Sequence, residues 1–258
     1  MPKRYKDHQS RSSTKVLITA DSGAGKSGLL ASLANAGQRL FIYDFDNGAD
    51  IIQTYLKDDA ARDRIFIETL KDTPENIHAF DTYKSLMWKG WTVDGEKLGS
   101  AKDWGSDTTI VIDSATFMSN AVKYWLFNNT KPKARPMSDQ LTQPDWGDLV
   151  RELEWQIAQL TSDAIKANVV ITAINTGIMD SNGIEKYYPD IGTRNFAKEV
   201  GGYFNNVVSI RRKKDETRVI RTSSDSRQDL KTSLGKKIPD ELEFDLSVLF
   251  NLLQKGHA

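Results

Sequence analysis

The chain has 258 residues, of which 39% are hydrophobic, and its 35 basic side chains balance 35 acidic ones. A chain of this length and apolar content can form one large domain with a buried core. The absence of cysteine excludes disulfides, thiol catalysis, iron–sulfur clusters and cysteine-ligated zinc. Because the net charge is zero, any contact with nucleic acid must come from local basic patches.

Three scattered histidines argue against a histidine metal site. No apolar run approaches the roughly 18 residues of a membrane span, and no signal peptide opens the chain. The sequence therefore predicts a soluble, cytoplasmic protein with no membrane partner. Residues 1–14 are basic and almost free of apolar side chains, and they predict a flexible tail before a single domain at 15–258.

The first motif of the chain is a phosphate-binding loop. The apolar run at 16–19 stops at Ala20-Asp21-Ser22-Gly23-Ala24-Gly25-Lys26-Ser27, and leucines at helical spacing follow. A strand, a glycine-rich loop and a helix in this order cradle phosphates with backbone N–H groups. Lys26 would approach the β- and γ-phosphates, and the Ser27 hydroxyl would bind Mg²⁺. The predicted nucleotide-binding residues are Asp21, Ser22, Gly23, Ala24, Gly25, Lys26, Ser27 and Gly28. The usual motif has glycine at the position of Ala20.

The remaining elements alternate between buried strands and amphipathic helices. Strands are predicted at 39–43, 64–67, 108–113 and 168–174, with a hairpin formed by 207–212 and 217–222. Helices are predicted from Thr73-Pro74-Glu75, after Asp113 and around 149–164, and surface connections at 89–107, 130–147 and 175–198. This order predicts an α/β fold, with a mostly parallel sheet flanked by helices and a C-terminal β-hairpin extension.

Acidic side chains follow two of the predicted strands. Four apolar residues precede Asp113, a Walker B pattern in which the carboxylate coordinates Mg²⁺ through water, although Asp113 also fits a helix cap. Asp44 and Asp46 end a strand that precedes the Asp113 strand in sequence, and we expect that strand to separate the P-loop and Asp113 strands in space. Asp46 is our candidate general base, although Asp46-Asn47-Gly48 also fits an ordinary turn.

Four segments together resemble the core of RecA-type recombination ATPases: the P-loop, Phe41 to Asp46, Ile110 to Ser114, and Val170 to Asn175. The similarity spans roughly 15–250 and is closer still to phage-encoded RecA-like nucleotide-binding proteins linked to single-strand annealing. Tyr188 to Gly192 and Ser226 to Lys231 also resemble stretches of that phage group.

The resemblance implies a RecA-like P-loop NTPase core with ATP and Mg²⁺ as ligands. Asp44-Phe45-Asp46 resembles the family's Asp-x-Glu. Asp46 therefore corresponds to the catalytic glutamate, with a side chain one methylene shorter. Asn175, or its neighbour Thr176, occupies the place of the γ-phosphate sensor, although a strand-end turn also fits. Arg227 and Lys231 are the candidate cations that reach a neighbouring subunit's nucleotide. The resemblance further implies a homo-oligomer, either a ring or a filament, and host cytoplasm if the chain is phage-encoded.

Single-stranded DNA is the implied partner, with a single-strand-binding protein as a further one. The candidate contact groups are Lys131, Lys133, Arg135 and Trp146 in one connection, Lys186, Tyr187, Tyr188 and Arg194 in another, and Arg211, Arg212, Lys213 and Lys214 in the hairpin. Each group alone also fits solvated surface. Two alternatives stay open: a P-loop NTPase or small-molecule kinase without nucleic acid, and an ATP-binding switch with little hydrolysis.

Overall fold

The computed structural model of the protein describes residues 13–129 and 135–256. Its strands are β1 (Lys15–Ala20), β2 (Arg39–Asp44), β3 (Ile65–Thr69), β4 (Trp91–Val93), β5 (Glu96–Gly99), β6 (Thr108–Asp113), β7 (Asn168–Met179), β8 (Glu185–Pro189), β9 (Asn206–Arg212), β10 (Arg218–Arg221) and β11 (Glu241–Glu243). Its α-helices are α1 (Lys26–Asn35), α2 (Asp59–Arg62), α3 (Ala79–Lys89), α4 (Ala115–Asn129), α5 (Gln143–Thr161), α6 (Arg194–Glu199) and α7 (Leu246–Lys255). Short 3₁₀ helices span Ala49–Tyr55, Val200–Tyr203 and Gly235–Lys237.

One large sheet organises the fold, with the strand order β11-β10-β9-β1-β7-β6-β2-β3. The six strands from β9 to β3 are parallel, and β10 and β11 extend them antiparallel. The apolar run of β1 is buried along its whole length because the strand lies inside the sheet, between β7 and β9, and helices cover both faces. The predicted class, a mostly parallel sheet with a C-terminal β-hairpin, is confirmed.

Helices cover both faces of this sheet and create two apolar cores. On one face α3, α4 and α5 pack against alternate side chains of β1, β2, β6 and β7. On the other face α1 and α7 pack against the remaining side chains of those strands and against β9 and β10. The P-loop therefore lies between the central strand of the sheet and a helix that the C-terminal segment covers.

The expectation about the intervening strand was wrong. The strand between the P-loop strand β1 and the Asp113 strand β6 is β7, whereas β2 lies on the far side of β6. Sequence order does not determine order in space, because crossover helices let a parallel strand skip its predecessor. Asp44 nevertheless pairs in register with Asp113, so both acids reach the same edge of the sheet.

The helix predicted to begin at Thr73-Pro74-Glu75 begins at Ala79 instead. Thr73 and Asn76 exchange backbone hydrogen bonds in a tight turn, which uses Pro74 as a turn residue rather than as a helix start. Asp72 caps the helix, since its Oδ1 accepts from the N–H groups of His78 (2.7 Å) and Ala79 (2.8 Å).

Residues 89–107 are not the surface connection that their glycine and charge content predicted. They form the β4–β5 hairpin, and Trp91 and Trp104 are buried at its base. The Trp104 ring stacks on Phe41 with ring centroids 3.9 Å apart, and the Trp91 Nε1 donates to the Tyr43 hydroxyl (2.9 Å). Two tryptophans thus anchor this segment in the core.

Residues 175–198 are also more ordered than predicted. β7 continues to Met179 and pairs antiparallel with β8, and α6 begins at Arg194.

Of the predicted loop 130–147, residues 130–134 lie outside the described residues, and α5 already begins at Gln143. Of the predicted tail, residues 1–12 also lie outside them, whereas Thr14 is buried and its N–H donates to Asn168 Oδ1. Among residues 13–129 and 135–256, no helix has the length and apolar character needed to cross a membrane.

Candidate nucleotide-binding site

The loop between β1 and α1 has the backbone shape that a phosphate cradle needs. Gly23 (φ 74°) and Gly25 (φ 105°) adopt left-handed conformations that other residues rarely reach. Within the loop the Ala24 N–H donates to the Asp21 carbonyl (3.3 Å). The N–H groups of Ser22, Gly23 and Gly25 make no hydrogen bond in the part of the chain that the structure describes. They remain available to phosphate oxygens at the N-terminus of α1.

Ala20 differs from the usual glycine without disturbing the loop. It is the last residue of β1, fully buried, and pairs with Ile174 in an ordinary strand conformation. Lys26 folds back over the loop, and its Nζ donates to the carbonyls of Ala20 (3.3 Å) and Asp21 (3.0 Å). Burial lowers the Lys26 pKa, while nearby carboxylates, with Asp113 first, oppose that shift. The ammonium group is thus held at the mouth of the cradle.

Asp113 is completely buried at the carboxyl end of β6. Burial raises its pKa, while hydrogen bonds from Ser27 and Thr172 stabilise its charged form. The Thr172 hydroxyl donates to Asp113 Oδ1, whereas Oδ2 is buried and without a hydrogen-bond partner among the described residues. An orphaned carboxylate oxygen beside a hydroxyl provides the hard oxygen ligands that Mg²⁺ prefers. Ser27 and Asp113 thus fit the predicted metal role. Thr172 escaped sequence analysis because threonine is common inside strands.

The two acids after β2 have different environments. Asp44 is buried, and its carboxylate accepts the N–H groups of Gly48 (3.2 Å) and Ala49 (3.1 Å), so it caps the following 3₁₀ helix. Asp46 is only half-buried and accepts one backbone N–H, from Gly48 (3.0 Å). Desolvation first, then the nearby charge of Asp113 and the hydrogen bond with Asp44, raises the Asp46 pKa to about 7. Of these two acids, Asp46 is the more exposed to solvent.

Asn175 lies within β7 rather than in a turn, directly beside the P-loop. Its Nδ2 donates to Asp21 Oδ1 (3.1 Å), and its Oδ1 accepts from Gln228 Nε2 (3.2 Å). The same Gln228 nitrogen donates to the Thr19 hydroxyl (2.8 Å). Gln228 therefore joins β1 to β7, a role that sequence analysis missed because glutamine in a polar segment carries no motif.

Arg227 and Lys231 flank Gln228 with exposed side chains. The Lys231 backbone exchanges two hydrogen bonds with Val207, which fixes this segment against β9. Lys231 lines a groove of about 220 Å³, together with Tyr187, Tyr188, Lys198 and Gln228. Neither cation reaches the P-loop of its own chain through any contact among the described residues, so their predicted action on a neighbouring subunit stays a prediction.

Several predicted DNA-contacting cations are already paired with carboxylates. Lys213 and Arg211 face Glu241 at 2.8 Å and 3.7 Å, and Arg212 contacts Glu216. Arg135 pairs with Asp145 (2.8 Å) and lies over the Phe127 ring. Such pairs leave less positive charge for a polyanion. Lys131 and Lys133 lie outside the described residues. Trp146, Arg194 and Lys214 are exposed.

The P-loop after β1, Asp113 at the end of β6 and the mostly parallel sheet flanked by helices match the predicted RecA-like P-loop NTPase fold, with β7 between β1 and β6 where β2 was expected. A family model described as an AAA domain matches residues 12–234. A search of curated protein sequences found no match.

Two solved structures are similar at low identity. One is the assembled ATPase EscN in complex with its central stalk EscO from the enteropathogenic E. coli type III secretion system, at 14% identity and a TM-score of 0.45. That match covers 78% of this chain and 42% of the EscN chain. The other is the ATPase domain of a second protein, at 9% identity and a TM-score of 0.42, and it covers 87% of this chain and 79% of that one.

Proposed function

The chain belongs to the AAA domain family, and from this premise we propose that it hydrolyses ATP with Mg²⁺ and binds single-stranded DNA to promote strand annealing. The observation that carries the ATPase proposal is the meeting of Lys26, Asp46 and Asp113 at one edge of the sheet. Both carboxylates are close enough to Lys26 that their negative charges raise its pKa, against the lowering caused by burial. A cation, a metal-binding carboxylate and a free acid are the groups that phosphoryl transfer to water requires.

The first part of the proposed ATP site is the P-loop backbone between β1 and α1. The free N–H groups of the loop and the positive end of α1 receive the phosphates, and Lys26 leaves its carbonyl partners to contact the β- and γ-oxygens. Ser27 and Asp113 would hold Mg²⁺, which neutralises charge on the polyphosphate when bound. The Asp21 carboxylate of the loop accepts a hydrogen bond from Asn175 Nδ2 (3.1 Å).

Asp46 is the general base of the proposed reaction. Its pKa of about 7 means that the carboxylate is half-charged near neutral pH and can accept a proton from water. Removal of that proton accompanies attack of the water oxygen on the γ-phosphorus, and ADP leaves with the bridging oxygen. The neighbouring Asp44 is the weaker candidate because it is buried and its carboxylate already accepts two backbone N–H groups.

The ATPase proposal is tested by measuring release of inorganic phosphate by the wild type, Lys26→Ala and Asp46→Asn. We expect Lys26→Ala to lose ATP binding, and Asp46→Asn to bind MgATP normally while turnover falls about a hundredfold or more. The matched variant Asp46→Glu, which restores the methylene found in the family motif, should retain activity. Full turnover by Asp46→Asn would disprove the base assignment.

DNA binding is supported by the groove beside β8. Two tyrosines and two lysines, Tyr187, Tyr188, Lys198 and Lys231, line one cavity. Aromatic faces that stack on bases and cations that contact phosphates are the usual means of holding a single strand. Gln228 lines the same groove and bonds to Asn175, which bonds to the P-loop residue Asp21. A strand in the groove would therefore meet Gln228, which these hydrogen bonds connect through Asn175 to Asp21 of the P-loop.

The DNA proposal is tested by adding a single-stranded oligonucleotide to the ATPase assay and by measuring oligonucleotide binding with and without ATP. We expect ATP-dependent binding that weakens with salt, and faster hydrolysis when DNA is present. Replacing both Tyr188 and Lys198 by Ala should reduce DNA binding about tenfold or more while hydrolysis without DNA stays unchanged. Absence of both ATP-dependent binding and stimulation would disprove the DNA role and leave the ATPase role standing.

The two alternative functions give different results in these assays. An ATP-binding switch would bind MgATP through Lys26 yet release almost no phosphate in either condition. A small-molecule kinase would show turnover that depends on a small acceptor and ignores DNA. The elevated pKa of Asp46 favours hydrolysis over the switch.

A further inference from the structure

Two glycines at the start of α1 lie against side chains from remote parts of the chain. A methyl group at Gly25 would come within 3.0 Å of Phe244 Cζ and 3.2 Å of Arg218 Nη1. At Gly28 it would come within 2.7 Å of the Tyr55 ring. Both positions therefore need glycine for close packing, and the three side chains form a wall beside the phosphate cradle.

Arg218 is the cation of this wall, and its charge has no carboxylate partner among the described residues. Its Nη1 donates to the Tyr55 hydroxyl (2.9 Å), its guanidinium carbon lies 5.6 Å from the centre of the Phe244 ring, and its Nε is buried without a partner in the described part of the chain. By contrast, Arg211 and Arg212 of the neighbouring strand each contact a glutamate. Holding an unpaired cation partly out of water costs free energy unless an anion joins it.

A cavity of about 230 Å³ continues from this wall along α1. Tyr55 and Phe244 line this cavity together with Gly28, Leu29 and Ser32 of α1. Asn35 fixes the Tyr55 side of the cavity, because its Nδ2 donates to the Tyr55 carbonyl (3.0 Å). Two aromatic side chains that line the same cavity can hold a planar ring by stacking.

We propose that the C-terminal part of the sheet completes the nucleotide site of its own chain. Arg218 contacts the polyphosphate that the P-loop binds, and the slot between Tyr55 and Phe244 receives the base. The guanidinium has five N–H donors, of which the Tyr55 hydroxyl takes one, so donors remain for phosphate oxygens. This inference rests on the proposed ATP binding and assigns its phosphate and base contacts.

The phosphate contact is tested with Arg218→Gln, which removes the charge and keeps a donor for Tyr55. Arg62→Gln is the matched control, because Arg62 is exposed and pairs with Asp59 on α2. Equilibrium binding is measured for MgATP and for inorganic tripolyphosphate, with thermal melting as the check on folding. Loss of a charge-assisted contact should weaken both ligands about tenfold or more in Arg218→Gln and less than twofold in the control.

The base contact is tested with Phe244→Leu and, separately, Tyr55→Leu. Each should weaken MgATP severalfold more than tripolyphosphate, since both ligands share the Arg218 contact but tripolyphosphate has no base to stack. Using two variants from different elements guards against one that fails to fold. Equal weakening of both ligands by both variants would overturn the base slot.

The outcomes separate this inference from the proposed function. If Lys26→Ala abolishes MgATP binding while Arg218→Gln binds both ligands within twofold of the wild type, the Arg218 contact is wrong and the ATP site stands. If Arg218→Gln weakens MgATP but not tripolyphosphate, the phosphate contact is equally wrong. If the wild type binds neither ligand, the proposed ATP binding is itself wrong, and the inference about Arg218 is wrong with it.

Discussion

Lys15 is a buried base at the end of β1 opposite to the P-loop. Its Nζ donates to the carbonyls of Ile165 (2.9 Å) and Ala167 (2.7 Å), and its side chain is almost inaccessible to water. Burial, partly opposed by the charge of Asp163, lowers its pKa from the usual 10.5 to about 7. A lysine in this setting makes the folded state sensitive to pH far from the catalytic groups.

The sign of that sensitivity follows from proton counting. Between pH 7 and 10.5 the unfolded chain keeps the Lys15 proton that the folded chain has lost, so the free energy of unfolding should rise with pH in this window. Below pH 7 both states are protonated and the contribution is flat. Lys15→Met should abolish this rise, as measured by urea unfolding at pH 7, 8 and 9. A wild type and a variant with parallel pH profiles would contradict the prediction.

Gln228 gives a second prediction at the scale of single residues. Gln228→Met keeps the side chain's size and removes the bonds to Thr19 and Asn175. We expect MgATP binding within threefold of the wild type and loss of most of the stimulation by single-stranded DNA. The exposed Gln159→Met on α5 serves as the matched control. Stimulation that survives in Gln228→Met would show that the link between groove and P-loop lies elsewhere.

At the scale of elements, the β4–β5 hairpin is fixed to the core by its aromatic side chains. Trp104 is 3% exposed and stacks on Phe41, and its Nε1 donates to the Leu98 carbonyl (2.8 Å). Trp155, on α5, is 50% exposed and meets Trp88 edge-on. The two tryptophans thus differ in burial, although nothing in the local sequence separates them.

Truncation of these tryptophans should have different costs. Trp104→Ala removes a buried ring and leaves a cavity, which destabilises the fold by about 3–5 kcal/mol. Trp155→Ala should cost about 1 kcal/mol or less, because half of its surface stays in water. Denaturant unfolding of both variants measures the difference. Equal costs would show that residues 89–107 contribute little to the core.

Sequence patterns predicted the elements that have a strong hydrophobic periodicity. They failed where tertiary contacts determine the structure. The buried strands and the P-loop were predictable because apolar runs and glycines report on local structure. The 89–107 hairpin was not, since Gly, Lys and Asp dominate its composition while two tryptophans determine its burial. Strand order was missed for a similar reason: which neighbour a parallel strand chooses depends on helix packing. Thr172, Gln228 and Arg218 belong to no motif and became visible only through their contacts.

At the scale of the whole molecule, the site is open where a second subunit could contribute. Arg227 and Lys231 lie on the exposed surface and make no contact with their own P-loop among the described residues. A cation supplied by a neighbour would stabilise the charge that develops in phosphoryl transfer and would make hydrolysis depend on assembly. The homo-oligomer that the family resemblance implies therefore predicts specific activity that rises with protein concentration.

Mixing two inactive variants tests whether the cation acts between subunits. Asp46→Asn lacks the base but keeps its cations, whereas the double variant Arg227→Ala, Lys231→Ala lacks the cations but keeps the base. In mixed oligomers some sites combine an intact base with an intact neighbouring cation, so phosphate release should exceed that of either variant alone. A mixture no faster than the average of its components would disprove action between subunits.

The position of β1 also determines when a nascent chain can acquire its nucleotide site. This strand carries the P-loop near the start of the chain, yet Val16 pairs with Val170 on one side and with Asn206 on the other. During translation β1 therefore leaves the ribosome long before either partner strand has been synthesised. Such distant pairings fold slowly, and β1 has neither of its partner strands until residues 170 and 206 have been made. Release of a chain that stops before Asn206 would leave β1 at an open sheet edge, a known starting point for aggregation.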